Sequence, residues 1–244
     1  MSRFFVTTDM IDENRVTLSE EDSKHLSRVL RATVGEEIII CDGVGNEHRA
    51  HISEISKNKI CAEIFETKQC DTEPKVKVTI FQGLPKGSKM ELIIQKCVEI
   101  GVCTIVPVAT ARAVVKLSEE KGKGKEERWN KISQEAAKQS SRGVIPVVES
   151  PVSFEEAVKR AGEFDMAIIP YEKQESGCLK DYLREKTPQT VAVFIGPEGG
   201  FEEREIDFAQ KHGVKAVSLG KRILRTETAP LTALSVIMYE YDWN

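Results

Sequence analysis

From Val76 onward, short apolar runs alternate with stretches whose apolar residues recur at helical spacing, and this alternation limits the fold more than any other feature of the chain. Val76–Gln82, Thr104–Val108, Met166–Pro170, Val191–Ile195 and Ala216–Leu219 are predicted strands of the buried type. Lys86–Ile100, Glu126–Ser140, Phe154–Ala161, Glu202–His212 and a last segment from Pro230 to Tyr241 are predicted helices. In the first of these, positions 90, 93, 94, 97 and 98 form the apolar stripe. Repeated β-α units predict an α/β fold with a parallel sheet covered on both faces. Lys121-Gly122-Lys123-Gly124-Lys125 is expected to be a flexible basic loop.

The first 70 residues have a different texture. Arg3–Val6, Glu36–Cys41, Arg49–Ile55 and Lys59–Phe65 are short predicted strands, the last two with the two-residue period of a half-buried strand. Asp42-Gly43-Val44-Gly45-Asn46 is a turn signal. One helix interrupts the strands: Ser19 caps it, Asp22 stands in the capping-box position, and Leu26, Val29 and Leu30 form its apolar stripe. A small β-barrel with one helix follows. Glu66–Lys75 is polar, holds Pro74, and is expected to be a linker. The predicted domains are therefore 1–70 and 75–244.

With 40% apolar and 30% charged residues, the composition excludes disorder over most of the chain. No stretch approaches the roughly 20 consecutive apolar residues of a membrane-spanning helix. Met1-Ser2-Arg3-Phe4-Phe5 is not the basic-then-apolar start of a secretory signal. Six cysteines without a C-x-x-C pair speak against a zinc site and for a reducing cytosol. The four histidines lack helical H-x-x-x-H spacing, so no metal is expected. The net charge of −4 disfavours nonspecific coating of nucleic acid. Its distribution is uneven: residues 1–73 carry 9 basic and 15 acidic groups, whereas 112–142 carry 9 basic and 5 acidic groups. A polyanion would be met by selected patches.

In an open α/β sheet, ligands bind beyond the carboxyl ends of the strands. Three such places have unusual content. Pro170-Tyr171-Glu172 is one, and Gly196-Pro197-Glu198-Gly199-Gly200-Phe201 is the second. The third is Leu219-Gly220-Lys221-Arg222-Ile223-Leu224-Arg225-Thr226-Glu227-Thr228-Ala229. The glycine loop is either a ligand-approaching turn or a tight strand-to-helix turn whose Glu202 and Glu203 complement the helix dipole. It is neither the dinucleotide fingerprint nor a phosphate-gripping loop with Gly-Lys-Ser/Thr. In the third segment Thr226 or Thr228 is a candidate N-cap and Arg225–Glu227 a candidate local ion pair, yet the crowding of polar groups favours a ligand-lined loop.

With these motifs the chain resembles the bacterial 16S ribosomal RNA uridine N3-methyltransferases, members of the trefoil-knotted, S-adenosylmethionine-dependent SPOUT class. The resemblance also rests on Arg3-Phe4-Phe5, His25-Leu26-Ser27-Arg28-Val29-Leu30-Arg31, Leu84-Pro85-Lys86-Gly87, Glu99-Ile100-Gly101 and Glu135-Ala136-Ala137-Lys138-Gln139-Ser140 with Arg142. Pro230-Leu231-Thr232 departs modestly from the family pattern. The resemblance implies an amino-terminal PUA-like barrel that binds RNA, a carboxy-terminal knotted methyltransferase domain, a homodimer and a cytoplasmic location. It implies that Pro170, Gly196, Gly200, Leu219, Gly220, Arg222, Leu224 and Thr226 contact S-adenosylmethionine, with adenine held by backbone groups and apolar walls. The substrate implied is 16S rRNA in the small ribosomal subunit.

Methylation at uracil N3 requires loss of a proton and stabilisation of the charge left on the ring oxygens. Arg225, then Arg222, are the candidates for the charge, and Glu198 and Glu227 for the proton; each glutamate is equally a structural acceptor within its loop. Arg3, His25, Arg28 and Arg31 in the first domain, and Lys86, Arg112, Lys138, Gln139 and Arg142 in the second, are candidate RNA contacts. Arg28 and Arg31 are expected on one helix face. In the final helix, Leu231, Leu234, Ile237 and Met238 are either a dimer surface or intramolecular core. A related enzyme acting on a ribose 2′-hydroxyl or another base, and a noncatalytic RNA-binding module, are the alternatives.

Overall fold

The computed structural model describes residues 2–56, 58–113, 119–174 and 177–243, and 119–123 through the backbone alone. The chain divides into two compact units, Met1–Glu73 with Ala137–Ile145, and Pro74–Ala136 with Pro146–Asn244.

The first unit holds β1 (Arg3–Phe5), β2 (Ile11–Asp12), β3 (Arg15–Thr17), α1 (Glu20–Lys24), β4 (Glu37–Cys41), β5 (Asn46–Ile55) and β6 (Ile60–Gln69). Its six strands pair in the order β1-β4-β5-β6-β3-β2, antiparallel except for β1 beside β4. Alternate residues Ile38, Ile40, Ala50, Ile52, Ile60 and Ala62 turn inward and are buried with Phe4, Val16 and Leu26. The expected linker begins later than its polarity suggested, because Glu66–Gln69 continues β6 opposite Asn46–Arg49, and Glu66 is paired with Arg49 at 2.6 Å.

Ser19 caps α1, its Oγ accepting from the Asp22 N–H at 3.1 Å. The helix then widens into a π-helical turn over His25–Leu30. This corrects the predicted stripe. Leu26 is buried, but the wider turn carries Val29 and Leu30 outward, Val29 to 65% exposure. Arg31 ends the turn with φ +54°, so it lies beyond the helix rather than on one helical face with Arg28.

The segment 137–145 joins this unit through Glu73. Its carboxylate accepts from Arg142 Nη2 at 2.6 Å, Arg142 Nε at 3.3 Å, and the N–H groups of Gly143 and Val144 at 2.9 and 3.2 Å. Arg142 is 5% exposed.

The second unit holds β7 (Lys77–Gly83), α2 (Lys89–Ile100), β8 (Thr104–Ala109), most of α3 (Glu119–Gln139), β9 (Val147–Val148) and β10 (Val152–Ser153). It continues with α4 (Phe154–Lys159), β11 (Met166–Pro170), α5 (Leu179–Arg184), β12 (Thr190–Ile195), α6 (Glu203–Lys211), β13 (Lys215–Val217) and α7 (Ala229–Tyr241). The strand order is β10-β8-β7-β12-β11-β13, with β9 also beside β8, and every pair is parallel. Central strands are therefore apolar on both faces: Phe81 and Phe194 stack at 4.6 Å between ring centres, within a cluster that includes Phe154, Phe201 and Ile206. Burying each such phenylalanine contributes about 1.5–3 kcal/mol.

The expected loop over 121–125 is helical backbone, the start of α3. Two glycines there cost roughly 1 kcal/mol each relative to alanine, an amount that the remainder of a long helix outweighs.

Removing the Glu73 carboxylate should take two charge-assisted bonds from the buried Arg142 guanidinium and one acceptor from the Gly143 and Val144 N–H groups. Glu73→Ala is expected to lower stability by about 3 kcal/mol in urea unfolding; a loss below about 0.5 kcal/mol would show that the clasp contributes nothing.

Candidate functional site

Strands β12, β11 and β13 are neighbours and parallel, so their carboxyl ends open side by side. Ile168 of β11 lies opposite Val193 of β12 and Lys215 of β13, and Pro170 lies opposite Val217. The three loops singled out in the sequence therefore leave adjacent points on one edge.

Each loop is fixed locally. After β11, the Tyr171 N–H donates to Val217 O at 3.0 Å and prolongs the ladder. After β12, the Gly200 N–H donates to Pro197 O at 2.9 Å, with Gly200 at φ +66°, a conformation that a Cβ would strain. A Cβ on Gly196 would meet Gly200 Cα at 3.1 Å, so the turn closes on itself most tightly where Gly196 has no side chain. Glu202 then caps α6 in a capping box with Glu205, whose other carboxylate oxygen accepts from the Ala111 N–H at 2.9 Å. After β13, Ser218 Oγ accepts from the Gly220 N–H at 3.2 Å, and Arg225 O receives the N–H groups of Thr228 and Ala229. Thr228 occupies the N-cap position of α7, but its side chain makes no capping bond.

The loops enclose a cleft of about 440 Å³ whose lining includes Pro170, Gly196, Gly200, Leu224, Arg225 and Thr226. A recess of about 100 Å³ is bounded by Pro170, Leu219, Gly220, Arg222 and Leu224. Pro170, Glu172, Ile223, Leu224 and Ala229 line both, so the two adjoin. All eight residues expected at a cofactor thus bound one connected hollow, of the size that small-molecule sites have. Its walls combine aliphatic side chains with glycine backbone. Those surfaces suit a nucleoside, whose base seeks apolar contact and whose polar edge seeks peptide groups.

Thr226 is buried beneath this floor at 6% exposure. Its hydroxyl donates to Gly196 O at 2.7 Å and accepts from Gln82 Nε2 at 3.1 Å. Arg225, by contrast, has a side chain 83% exposed at the cleft wall, with Nη1 at 4.0 Å from Glu227 Oε1. Arg222 is exposed beside the recess.

Lys89, at the start of α2, joins two loops. Its ammonium lies 2.9 Å from Glu198 Oε1 and 3.5 Å from Glu227 Oε2. Glu198 also accepts from the Lys86 N–H at 3.1 Å. Desolvation alone would push the Glu198 carboxyl up, but the hydrogen bonds from Lys89 and Lys86 hold it below the ordinary carboxylate range. The Glu198 hydrogen bond is the main cause that raises Lys89.

Gln82 and Lys89 escaped sequence reasoning, whereas Glu172 belongs to the first of the three segments it singled out. Gln82 carried a faint signal, a glutamine closing an apolar strand. Lys89 looked like any solvated lysine at a helix start.

The candidate RNA contacts divide. His25, Arg28 and Arg31 are exposed on the first unit, as are Gln139 on that unit and Lys86 and Arg112 on the second. Arg112 Nη1 donates to Gly199 O at 2.8 Å, against the glycine loop. Lys138 is half-buried, 3.2 Å from Asp22 and above the Phe4 ring. The expectation that Arg3 and Arg142 face RNA is corrected. Arg3 is largely buried and paired with Glu47 at 2.6 Å, and Arg142 is bound to Glu73, so both guanidiniums hold the fold. In α7, Leu234, Ile237 and Met238 are core, and the outward residues are Val236 and Tyr239, with Trp243 just beyond. Among the described residues no group of three His, Cys, Asp or Glu side chains is placed to hold a metal ion.

Comparison with known proteins agrees with this geometry. Residues 72–238 match the family described as RNA methyltransferase domain, and residues 18–65 match the RNA methyltransferase PUA domain. Ribosomal RNA small subunit methyltransferase E of Bacillus subtilis is 38% identical over 99% of this chain and 98% of its own length. The chain belongs to the ribosomal RNA small subunit methyltransferase E family. A family member from Neisseria gonorrhoeae, solved bound to S-adenosyl methionine, superimposes with a TM-score of 0.87 and 32% identity over 99% of this chain and 98% of that one. A methyltransferase from Legionella pneumophila, solved in complex with the bound cofactor SAM, gives 0.88 and 34% over 97% and 96%. The family likeness thus spans both units, with their PUA-like and SPOUT architectures.

The Lys89 bridge has a direct readout. In NMR titration of labelled glutamate, the Glu198 midpoint should lie below that of an ordinary glutamate, and Lys89→Met should move it upward; an unmoved midpoint would remove Lys89 as the cause.

Proposed function

We propose that this protein transfers a methyl group from S-adenosylmethionine to N3 of a uridine in the 16S rRNA of the small ribosomal subunit. The observation that carries the reading is the convergence of three strand-end loops on one hollow, with an exposed arginine at its wall. When bound there, S-adenosylmethionine supplies an electrophilic methyl carbon on a sulfonium centre. Pro170, Gly196, Gly200, Leu219, Gly220, Arg222, Leu224 and Thr226 hold it, with the glycine-bearing turns allowing close backbone approach and Leu219 and Leu224 walling the base.

The remaining chemistry belongs to the charged groups at the wall. Arg225 directs N–H donors at the uracil oxygens on which charge collects as the N3 proton leaves, and Arg222 is the second donor. Glu227 faces Arg225 and is the acceptor for that proton. Glu198 is the poorer acceptor, because a carboxyl held below its ordinary range has little affinity for a proton near neutral pH; its bonds to Lys89 and Lys86 make it a fastener of the glycine loop.

Residues 1–70 are the PUA-like RNA-binding domain, and 75–244 are the methyltransferase domain, whose segment 137–145 packs in the first unit. His25, Arg28 and Arg31 serve the former, and Lys86 and Arg112 the latter, with Lys138 and Gln139 at the end of α3. Arg28 and Arg31 are exposed cations in a segment, residues 1–73, that carries 15 acidic against 9 basic groups, which marks them for phosphate. The same reading includes the trefoil knot, a cytoplasmic location and a homodimer. Val236, Tyr239 and Trp243 support the dimer as an exposed apolar stripe on and beyond α7 that a second copy would cover.

Three measurements test this. Arg225→Ala should lower methylation by at least about 100-fold while leaving the melting temperature unchanged, since the side chain is exposed; full activity would remove Arg225 from the chemistry. Replacing Arg28 and Arg31 together by glutamate should weaken RNA binding and reduce its salt dependence; an unaltered slope would refute those contacts. With labelled methyl donor and small subunits lacking the modification, the label should appear as N3-methyluridine. Label on a ribose 2′-oxygen would replace this reading with the hydroxyl-directed alternative.

A further inference from the structure

Gln82 is the last residue but one of β7, paired in register with Ile195 of β12, and its side chain is wholly buried at 0% exposure. It lines neither hollow. One N–H of its amide donates to Gly83 O at 3.0 Å and the other to Thr226 Oγ1 at 3.1 Å. Thr226 has a single hydroxyl proton, which it donates to Gly196 O at 2.7 Å. The bonds therefore run in one direction. An amide on a rigid central strand orients a hydroxyl on the 219–229 loop, and that hydroxyl holds a carbonyl of the 196–200 loop.

The amide cannot reverse, because a flip would set Gln82 Oε1 against Gly83 O. As it stands, Oε1 is buried with no hydrogen-bond partner among the described residues. An orphaned acceptor costs free energy that an aliphatic side chain would avoid. Packing alone does not account for a glutamine here. Directing the Thr226 hydroxyl does.

We propose that Gln82 is a positioning residue for the methyl donor: through the Thr226 hydroxyl it keeps the Gly196 carbonyl, and with it the two loops bounding the hollow, in the register that S-adenosylmethionine requires. The inference rests on the reading that this hollow takes S-adenosylmethionine. Gln82 touches neither donor nor RNA, so its effect belongs to donor affinity rather than to the chemical step.

Calorimetric titration of S-adenosylmethionine into the full-length wild type, Gln82→Met, Thr226→Val and the double variant tests it, with melting temperatures recorded for each. Gln82→Met is expected to bind about ten-fold more weakly, with a melting temperature near that of the wild type, since Thr226 keeps its bond to Gly196. In turnover, the KM for the donor should rise while kcat and the KM for ribosomal subunits hold. Because Gln82 acts through Thr226, the double variant should bind no more weakly than Thr226→Val alone. Thr226→Ser, which keeps a hydroxyl, should retain both the affinity and the sensitivity to Gln82→Met. If Gln82→Met does not fold, Gln82→Leu, likewise without N–H donors and uncharged, takes its place with the same expectation. Unchanged affinity in Gln82→Met, or additive losses in the double variant, would overturn the positioning role while leaving the site intact. A wild type that fails to bind S-adenosylmethionine would instead overturn the reading of the hollow itself.

Discussion

The bond from the Thr226 hydroxyl to the Gly196 carbonyl is where the last two loops of the second unit meet, and the hollow has its shape because that bond closes. The segment 219–229 departs from β13 at the edge of the sheet, two strands away from β12, where the glycine loop begins. Nothing in the ladder itself brings them together. A short, half-buried, charge-free hydrogen bond does so, and reduced local dielectric makes such a bond costly to leave unmade. Once it is closed, Leu219, Leu224 and Pro170 form a wall and the glycines a floor.

Charge is distributed around this neutral floor with a division of labour. Lys89 ties Glu198 and Glu227 to the start of α2, which fixes both loops from the wall of the cleft that Lys89 and Glu198 themselves line. Arg225 stays in solvent, and its nearest ion-pair partner among the described residues is the distant Glu227. An exposed guanidinium is little use for stability, since surface pairs contribute about 0–1 kcal/mol. It is well placed for a ligand that arrives from solution and excludes water from it. The buried arginines follow the opposite logic: Arg3 and Arg142 are enclosed, paired and committed to holding the first unit.

Much of this could be read in the sequence, for physical reasons that differ by element. Predicted and observed bounds of β11 coincide at 166–170, and β8, β12 and α7 differ by a residue, because central parallel strands and the helices over them carry long unbroken apolar signals. The short pairings β2, β3, β9 and β10 were missed, since two or three residues show no period. The π-helical turn at His25–Leu30 was invisible because its composition is that of an ordinary helix, and that turn alone moved Val29 and Leu30 from core to surface. At the site, glycines and clustered polar residues announced the loops. Gln82 and Lys89 did not announce themselves, because their meaning lies in partners more than a hundred residues away. Arg142 was misjudged for the same reason: the chain gives no local hint that Glu73 waits for it.

The account stands or falls on where the methyl donor lodges. A crystal structure of the protein grown with S-adenosylmethionine should show the nucleoside between Gly196, Leu219 and Leu224, its sulfonium methyl facing Arg225 across open solvent. Density for the donor on any other face of the protein, or saturating donor with that hollow left empty, would contradict it.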